Sequence, residues 1–177
     1  MLATEVVLCE DGHAQERSLL GQVLPGVEPD ELWIAERNFC TVDFLRGIAT
    51  RGGCFVVRQH GQLKGTLVGA RQYKGTIDTG KVYEQQIGLV TAQGDPWLLR
   101  RITVALEKPT RDGDTEIHLL SNVPMRKGSA QTLAASYGKR WTLETMFQEL
   151  TETLTWEVNA LGYPKAALFG FCLALMA

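Results

Sequence analysis

The sequence lacks features that are typical of several large classes of protein, including paired cysteines and an excess of positive charge. Its 177 residues include only four cysteines, and none of them forms a Cys-x-x-Cys pair. Scattered thiols of this kind indicate a reducing cytoplasm, and they exclude a disulfide framework and a cysteine-based zinc site. The formal net charge of −2 also lacks the positive excess that is typical of a generic nucleic-acid binder.

Long hydrophobic runs are also missing. No basic segment leads an apolar run at the start, so we predict no signal peptide. The apolar stretch 166–177 is much shorter than the ~20 residues that cross a bilayer, and we predict a buried helix and no membrane partner. A strand is predicted at 4–9, and the chain stops on an apolar residue, so we expect a sequence that is cut at both ends.

The composition that is present fits a globular protein. Hydrophobic residues make up 45% of the chain and charged residues 21%, which is ordinary for a folded domain. The residue pattern changes at Gly61, after which glycines recur among short segments of high β propensity. It changes again near Gly128, after which helical patterns begin. We therefore predict three portions, namely a partial α/β core at 1–60, a β insertion at 61–125 and a helical part at 126–177.

Two short apolar runs in the first portion predict strands that deliver polar residues at their ends. Glu36 and Arg37 follow the first run, and Arg58 ends the second. The elements predicted here are a helix at 13–24, strands at 31–35 and 54–57, and a helix at 39–50 with Phe44, Leu45 and Ile48 facing inward.

The most informative stretch is 137–150, which reads as one helix. Tyr137, Arg140 and Glu144 are spaced by three and four residues, so at ~100° per residue they fall within roughly 60° of one another on the helix surface. A phenol, a guanidinium and a carboxylate in one line suit the handling of metal ions and phosphate.

These motifs resemble those of a known family. Glu36-Arg-Asn-Phe-Cys40, Leu120-Ser-Asn-Val-Pro124 and the Tyr-x-x-Arg-x-x-x-Glu spacing from Tyr137 are similar to the DDE transposases of bacterial insertion sequences, specifically the group named IS-four. The segment 161–170 is similar to the helix that follows in that family. The resemblance implies a ribonuclease H-like α/β core that carries a β-rich insertion and is incomplete at the N-terminus.

The resemblance also implies roles for individual residues. Glu36 and Glu144 would be catalytic carboxylates that bind Mg²⁺ or Mn²⁺ in a two-metal site, where the ions stabilise the attacking and leaving oxygens of a phosphodiester. The substrate would be double-stranded DNA at the terminal inverted repeats, and the protein partner a second copy or a full-length transposase, in the bacterial cytoplasm or nucleoid. The residues implied in DNA contact are Tyr137, Arg140, Lys139, Arg37 and Arg58.

Three departures from the family pattern lead us to expect that this chain alone is inactive. Glu36 stands where the family has Asp, and its extra methylene shifts the carboxylate by on the order of 1 Å, which is costly where geometry is the catalyst. Thr151 replaces the family's Lys. The first catalytic Asp of the family has no counterpart, because Asp11 falls in a predicted loop.

Plainer interpretations stay open for each residue. Glu36 and Glu144 could be surface acids, Tyr137 a core aromatic, and Arg37, Arg58 and Lys139 solvated charges. At the level of function, the alternatives are a non-catalytic remnant that binds DNA or pairs with a transposase, and an unrelated metal hydrolase with two carboxylates.

Overall fold

The computed structural model describes residue 7 and the ranges 16–91 and 94–140. Residues 16–138 form one compact unit, and Lys139 and Arg140 fall outside it. The helices of the described residues are α1 (Leu20–Val23), α2 (Val42–Thr50) and α3 (Ala130–Gly138). Short 3₁₀ segments are Glu16–Leu19 and Leu24–Gly26, which flank α1, and Arg37–Phe39. The strands are β1 (Leu32–Ala35), β2 (Cys54–Arg58), β3 (Thr66–Ile77), β4 (Gly80–Val90), β5 (Pro96–Leu106) and β6 (Glu116–Ser121).

The six strands of the described residues form one sheet, in the order β1-β2-β6-β5-β4-β3. β1 and β2 are parallel, and every other neighbouring pair is antiparallel. The strands of the predicted β insertion therefore continue the sheet that β1 and β2 begin. The portion boundaries at 60/61 and 125/126 stay a prediction.

Helix α2 is the crossover that a parallel strand pair requires. The Thr41 hydroxyl caps its first turn by accepting the backbone N–H of Phe44 at 3.3 Å. Phe44, Leu45 and Ile48 are buried, as their helical spacing predicts. The predicted strands at 31–35 and 54–57 are confirmed as β1 and β2.

The sheet has a core on each face because successive strand residues point to opposite sides. Phe55, Val57 and Leu120 pack with the buried residues of α2. Val56 and Leu119 belong to the second core, which α3 covers with side chains that include Leu133, Ala134 and Tyr137.

The outermost strand, β3, is long, exposed and irregular. Its pairing with β4 shifts register between Val68 and Gln72 and again between Tyr73 and Gly75. Leu67, Val68 and Tyr73 are among the large apolar side chains that remain exposed along it.

Arg100 on β5 ties the segment before α3 to the sheet. Its Nε donates to Glu84 at 2.5 Å, and its Nη1 donates to the carbonyl oxygens of Val123 and Gly128, both at 2.8 Å. The side chains of Arg100 and Glu84 are each only 11% exposed. The Arg100 guanidinium thus holds the connection between β6 and α3 against the sheet.

We predict that Arg100→Met lowers the free energy of unfolding by about 3–5 kcal/mol, because it leaves a buried Glu84 carboxylate and two carbonyls without their donor. Urea denaturation of the whole chain measures the loss. Arg126→Met, at an exposed arginine of the same connection, serves as the control and should change stability by less than about 0.5 kcal/mol. Equal effects of the two substitutions would contradict the role of Arg100.

Candidate functional site at the end of β1

Glu36 immediately follows β1 and has extended backbone geometry, with φ −76° and ψ 171°. It caps the 3₁₀ turn Arg37–Phe39, since Glu36 Oε2 accepts the backbone N–H of Arg37 at 3.1 Å. A carboxylate at the start of a helical turn is a favourable arrangement, because the free N–H groups there need acceptors. The position of Glu36 at the strand tip agrees with the sequence prediction.

Tyr137 contacts Glu36 although the two residues are far apart in the sequence. It lies in the last turn of α3, is only 3% exposed, and packs in the same core as Leu133 and Ala134. Its hydroxyl donates a hydrogen bond to Glu36 Oε1 across 101 positions of sequence. The interpretation of Tyr137 as a core aromatic is therefore correct for its ring, while its hydroxyl contacts the predicted site.

Arg58 ends β2, directly beside Glu36. Ala35 pairs with Val57 in parallel register, so the residues that follow, Glu36 and Arg58, meet at one edge of the sheet. Arg58 Nη1 lies 3.9 Å from Glu36 Oε2, and Arg58 Nη2 lies 2.6 Å from Asp114 Oδ2. Its side chain is 16% exposed, so the interpretation of Arg58 as a solvated charge is wrong.

Arg37 makes a looser ion pair on the surface. Its Nη2 lies 3.8 Å from Asp112 Oδ2, and half of the Arg37 side chain is exposed. Asp112 and Asp114 belong to the same loop between β5 and β6. Arg37 and Arg58 are thus each paired with an aspartate of the loop between β5 and β6.

The predicted helix at 137–150 needs a correction. Helix α3 spans Ala130–Gly138, so Tyr137 is near the end of a helix and does not begin one. Lys139 and Arg140 form a turn, so α3 does not extend to Arg140. Gly138 explains the stop, since glycine has the lowest helix propensity after proline. Glu144, like Thr151 and the other predicted elements of 141–177, lies outside the described residues.

The described residues do not by themselves fit a two-metal centre. Within the ranges that the structure describes, no three or more His, Cys, Asp or Glu side chains are arranged so that they could hold a metal ion. Both oxygens of Glu36 already accept hydrogen bonds, one from Tyr137 and the other from the Arg37 backbone. Mg²⁺ needs several hard oxygen ligands in near-octahedral geometry, and Glu36 is one such donor.

Several residues around the site were not identified from the sequence. Asp112 and Asp114 lie in the loop between β5 and β6 and are not among the residues that the family resemblance implies. Asn122, within the Leu120–Pro124 motif, accepts the N–H of Phe55 at 2.8 Å and donates to the carbonyl of Gly53 at 3.0 Å. Its amide thus extends the pairing of β2 past the end of β6. The sequence signal that could have identified Asn122 is the position of its side-chain amide directly after a strand.

A second polar cluster lies on the opposite face of the sheet. The His118 ring nitrogen Nδ1 is 3.0 Å from the Thr103 hydroxyl, and Nε2 is 3.8 Å from Glu116. Burial and, second, the positive charge of Arg101 lower the pKa of His118 from 6.5 to about 4. Arg71 donates to Glu116 at 2.7 Å and holds the pKa of that carboxyl below its usual value.

Comparison with known proteins now identifies the family. The family model described as "Transposase DDE domain" matches residues 2–177. The chain therefore belongs to the transposase DDE domain family, and its function is DNA transposition. A search of curated proteins finds no match. Among the described residues no helix is both long and apolar enough to cross a membrane.

We predict that Tyr137→Phe lowers the free energy of unfolding by about 1 kcal/mol, because it removes a donor from a carboxylate that is partly screened by solvent. A double-mutant cycle with Glu36→Ala, followed by urea denaturation, should show that most of this loss disappears when Glu36 is absent. Tyr73→Phe, at a ring that is 58% exposed, is the matched control. Zero coupling between Tyr137 and Glu36 would contradict the contact.

We predict a second, pH-dependent effect at His118. The folded pKa is about 4 and the unfolded pKa is near 6.5, so only the unfolded chain gains a proton between these values. Stability should therefore fall by about 2 kcal/mol as the pH drops from 6.5 to 4, and be unaffected by this group at higher pH. His118→Gln should flatten the fall in that window, as measured by urea denaturation at several pH values. An unchanged slope would refute the assignment.

Proposed function

We propose that this chain is the catalytic-core region of an IS-four-like transposase with a ribonuclease H-like fold, and that it acts on the terminal inverted repeats of an insertion sequence. The observation that carries the proposal is the hydrogen bond from Tyr137 to Glu36. It joins two of the motifs of the family resemblance, at residues that are 101 positions apart in the chain. Membership in the DDE family supports DNA as the substrate class.

Arg37 and Arg58 are the proposed phosphate contacts at the tip of β1 and β2. Both lie beside Glu36 and present guanidinium groups, which match the geometry of phosphate oxygens. Lys139, which is exposed, and Arg140 are further proposed phosphate contacts, an assignment that rests on the family resemblance. Tyr137 contributes by fixing the carboxylate of Glu36, because its own hydroxyl is already engaged there.

Glu36 and Glu144 are the proposed carboxylate ligands for Mg²⁺ or Mn²⁺, an assignment that rests on the family resemblance. The metal ions of this family would activate the attacking oxygen and stabilise the leaving oxygen of the phosphodiester. In this chain Tyr137, Arg37 and Arg58 hold the carboxylate of Glu36, through a phenol hydroxyl, a backbone N–H and a guanidinium respectively.

A second candidate function is DNA binding, or pairing with another transposase chain, without cleavage. The extra methylene of Glu36, relative to Asp, carries its carboxylate to Tyr137 and Arg58. A carboxylate held by these donors must give up some of its hydrogen bonds before it can bind a metal ion. This observation favours a chain that binds DNA and is catalytically silent alone.

We predict that the whole chain binds short duplex DNA in a salt-dependent manner without cutting it. Arg58→Gln should weaken binding by about tenfold at low salt and reduce the salt slope by about one, because one phosphate contact is lost. Fluorescence anisotropy measures binding, and a nicking assay with Mg²⁺ or Mn²⁺ measures cleavage.

Arg51→Gln, at the exposed end of α2, is the control and should bind as the unmodified chain does. Cleavage above the level of a Glu144→Ala variant would overturn the silent state and support an active transposase. A chain that shows no affinity for DNA at any salt concentration would contradict the transposase function and the DNA-binding form of the second candidate, and would leave pairing with another transposase chain.

A further inference from the structure

The loop between β5 and β6 supplies an acidic partner to each proposed phosphate contact at the β1 tip. Asp112 Oδ2 lies 3.8 Å from Arg37, and Asp114 Oδ2 lies 2.6 Å from Arg58. Carboxylate and phosphate oxygens use the same guanidinium N–H groups. A DNA phosphate at Arg58 therefore competes with Asp114 for guanidinium N–H groups, whereas at Arg37 it competes with Asp112 through charge, because that pair is too long for a hydrogen bond.

The carboxylates around Arg37 and Arg58 also reduce the local positive charge. Arg58 faces two carboxylates, those of Glu36 and Asp114, and is nearer to Asp114. Replacing Asp112 and Asp114 with neutral residues makes the charge around Arg37 and Arg58 more positive by two, and this change favours the approach of a phosphate.

The loop keeps its shape through bonds that do not involve these carboxylates. The backbone N–H of Asp114 donates to the Thr110 hydroxyl at 3.1 Å, and the backbone N–H of Thr110 donates to the Asp114 carbonyl at 2.9 Å. Gly113 completes the turn with φ +87°, a conformation that suits glycine, and donates to the Thr110 carbonyl. Changing Asp112 and Asp114 to Asn therefore removes charge and leaves the turn in place.

We propose that the β5–β6 loop is an autoinhibitory competitor for DNA, in which Asp112 and Asp114 occupy the guanidinium groups of Arg37 and Arg58 until phosphate displaces them. This inference rests on the proposed role of the two arginines in DNA binding. It adds that the affinity of the site is held down by the chain itself. DNA binding then requires two ion pairs to be exchanged, with the loop carboxylates released to solvent.

The test compares the affinity of the whole chain for a short mixed-sequence duplex with that of Asp112→Asn/Asp114→Asn. The double variant should bind about tenfold more tightly at low salt and show a steeper salt dependence, since no released carboxylate takes up cations. Asp78→Asn/Asp95→Asn makes the same change in net charge at two aspartates that lie outside this loop, and it should give a much smaller gain.

A second comparison isolates the ion pairs. In an Arg37→Gln/Arg58→Gln background the Asn substitutions should give no gain, because the groups for which the aspartates compete are absent. If the double background is unstable, Arg37→Gln alone, at a half-exposed residue, separates the two pairs: Asp112→Asn should give no gain there, whereas Asp114→Asn should keep its gain. A gain from the Asn substitutions in the double background, a gain from Asp112→Asn in the Arg37→Gln background, or an equal gain from Asp78→Asn/Asp95→Asn would overturn the proposal.

The outcomes also separate this inference from the proposed function. If the Asn variant binds like the unmodified chain while Arg58→Gln weakens binding, the arginines bind DNA and the loop does not compete. If neither the unmodified chain nor the Asn variant binds DNA, both the competition and the proposed function are wrong.

Discussion

The pairing of β6 between β2 and β5 is the constraint on which the candidate site depends. Its backbone bonds join a parallel pair, β1 and β2, to an antiparallel meander, and they do so in a fixed register that sets Arg58 opposite Leu119. Because side chains alternate across a strand, a slip of one residue would send every group to the other face. The register thus decides both which core each residue enters and where the loop before β6 ends.

The electrostatics of the β1 tip follow from that geometry. The parallel register of β1 and β2 leaves Glu36 beside Arg58, and the start of β6 delivers Asp114 to the same guanidinium. A single partly buried cation between two carboxylates is a compromise, since it cannot satisfy both at ideal distance. The phenol of Tyr137 and the N–H of Arg37 supply the bonds to Glu36 that Arg58 does not.

The sequence predicts the positions of strands and helices better than it predicts which side chains pair with each other. The strands that end at Glu36 and Arg58, and the inward face of α2, follow from apolar spacing, which depends on neighbours within a few residues. The pairing of Arg58 with Asp114 spans 56 positions and leaves no periodic signal. The helix around Tyr137 was placed too late because the family motif begins at Tyr137, whereas the hydrogen bonds of α3 begin seven residues earlier. The Ser129 hydroxyl caps that start by accepting the backbone N–H of Thr132 at 3.1 Å.

The irregular edge of β3 has a consequence for how copies of this chain behave when they are crowded together. A regular strand of twelve residues with exposed apolar groups is a template on which a second sheet could grow by strand addition. The two register shifts interrupt the even spacing of backbone groups along β3, so a straight foreign strand finds matching partners over only part of its length. The same irregularity that looks like a defect in the sheet thus protects it from fibrillar association.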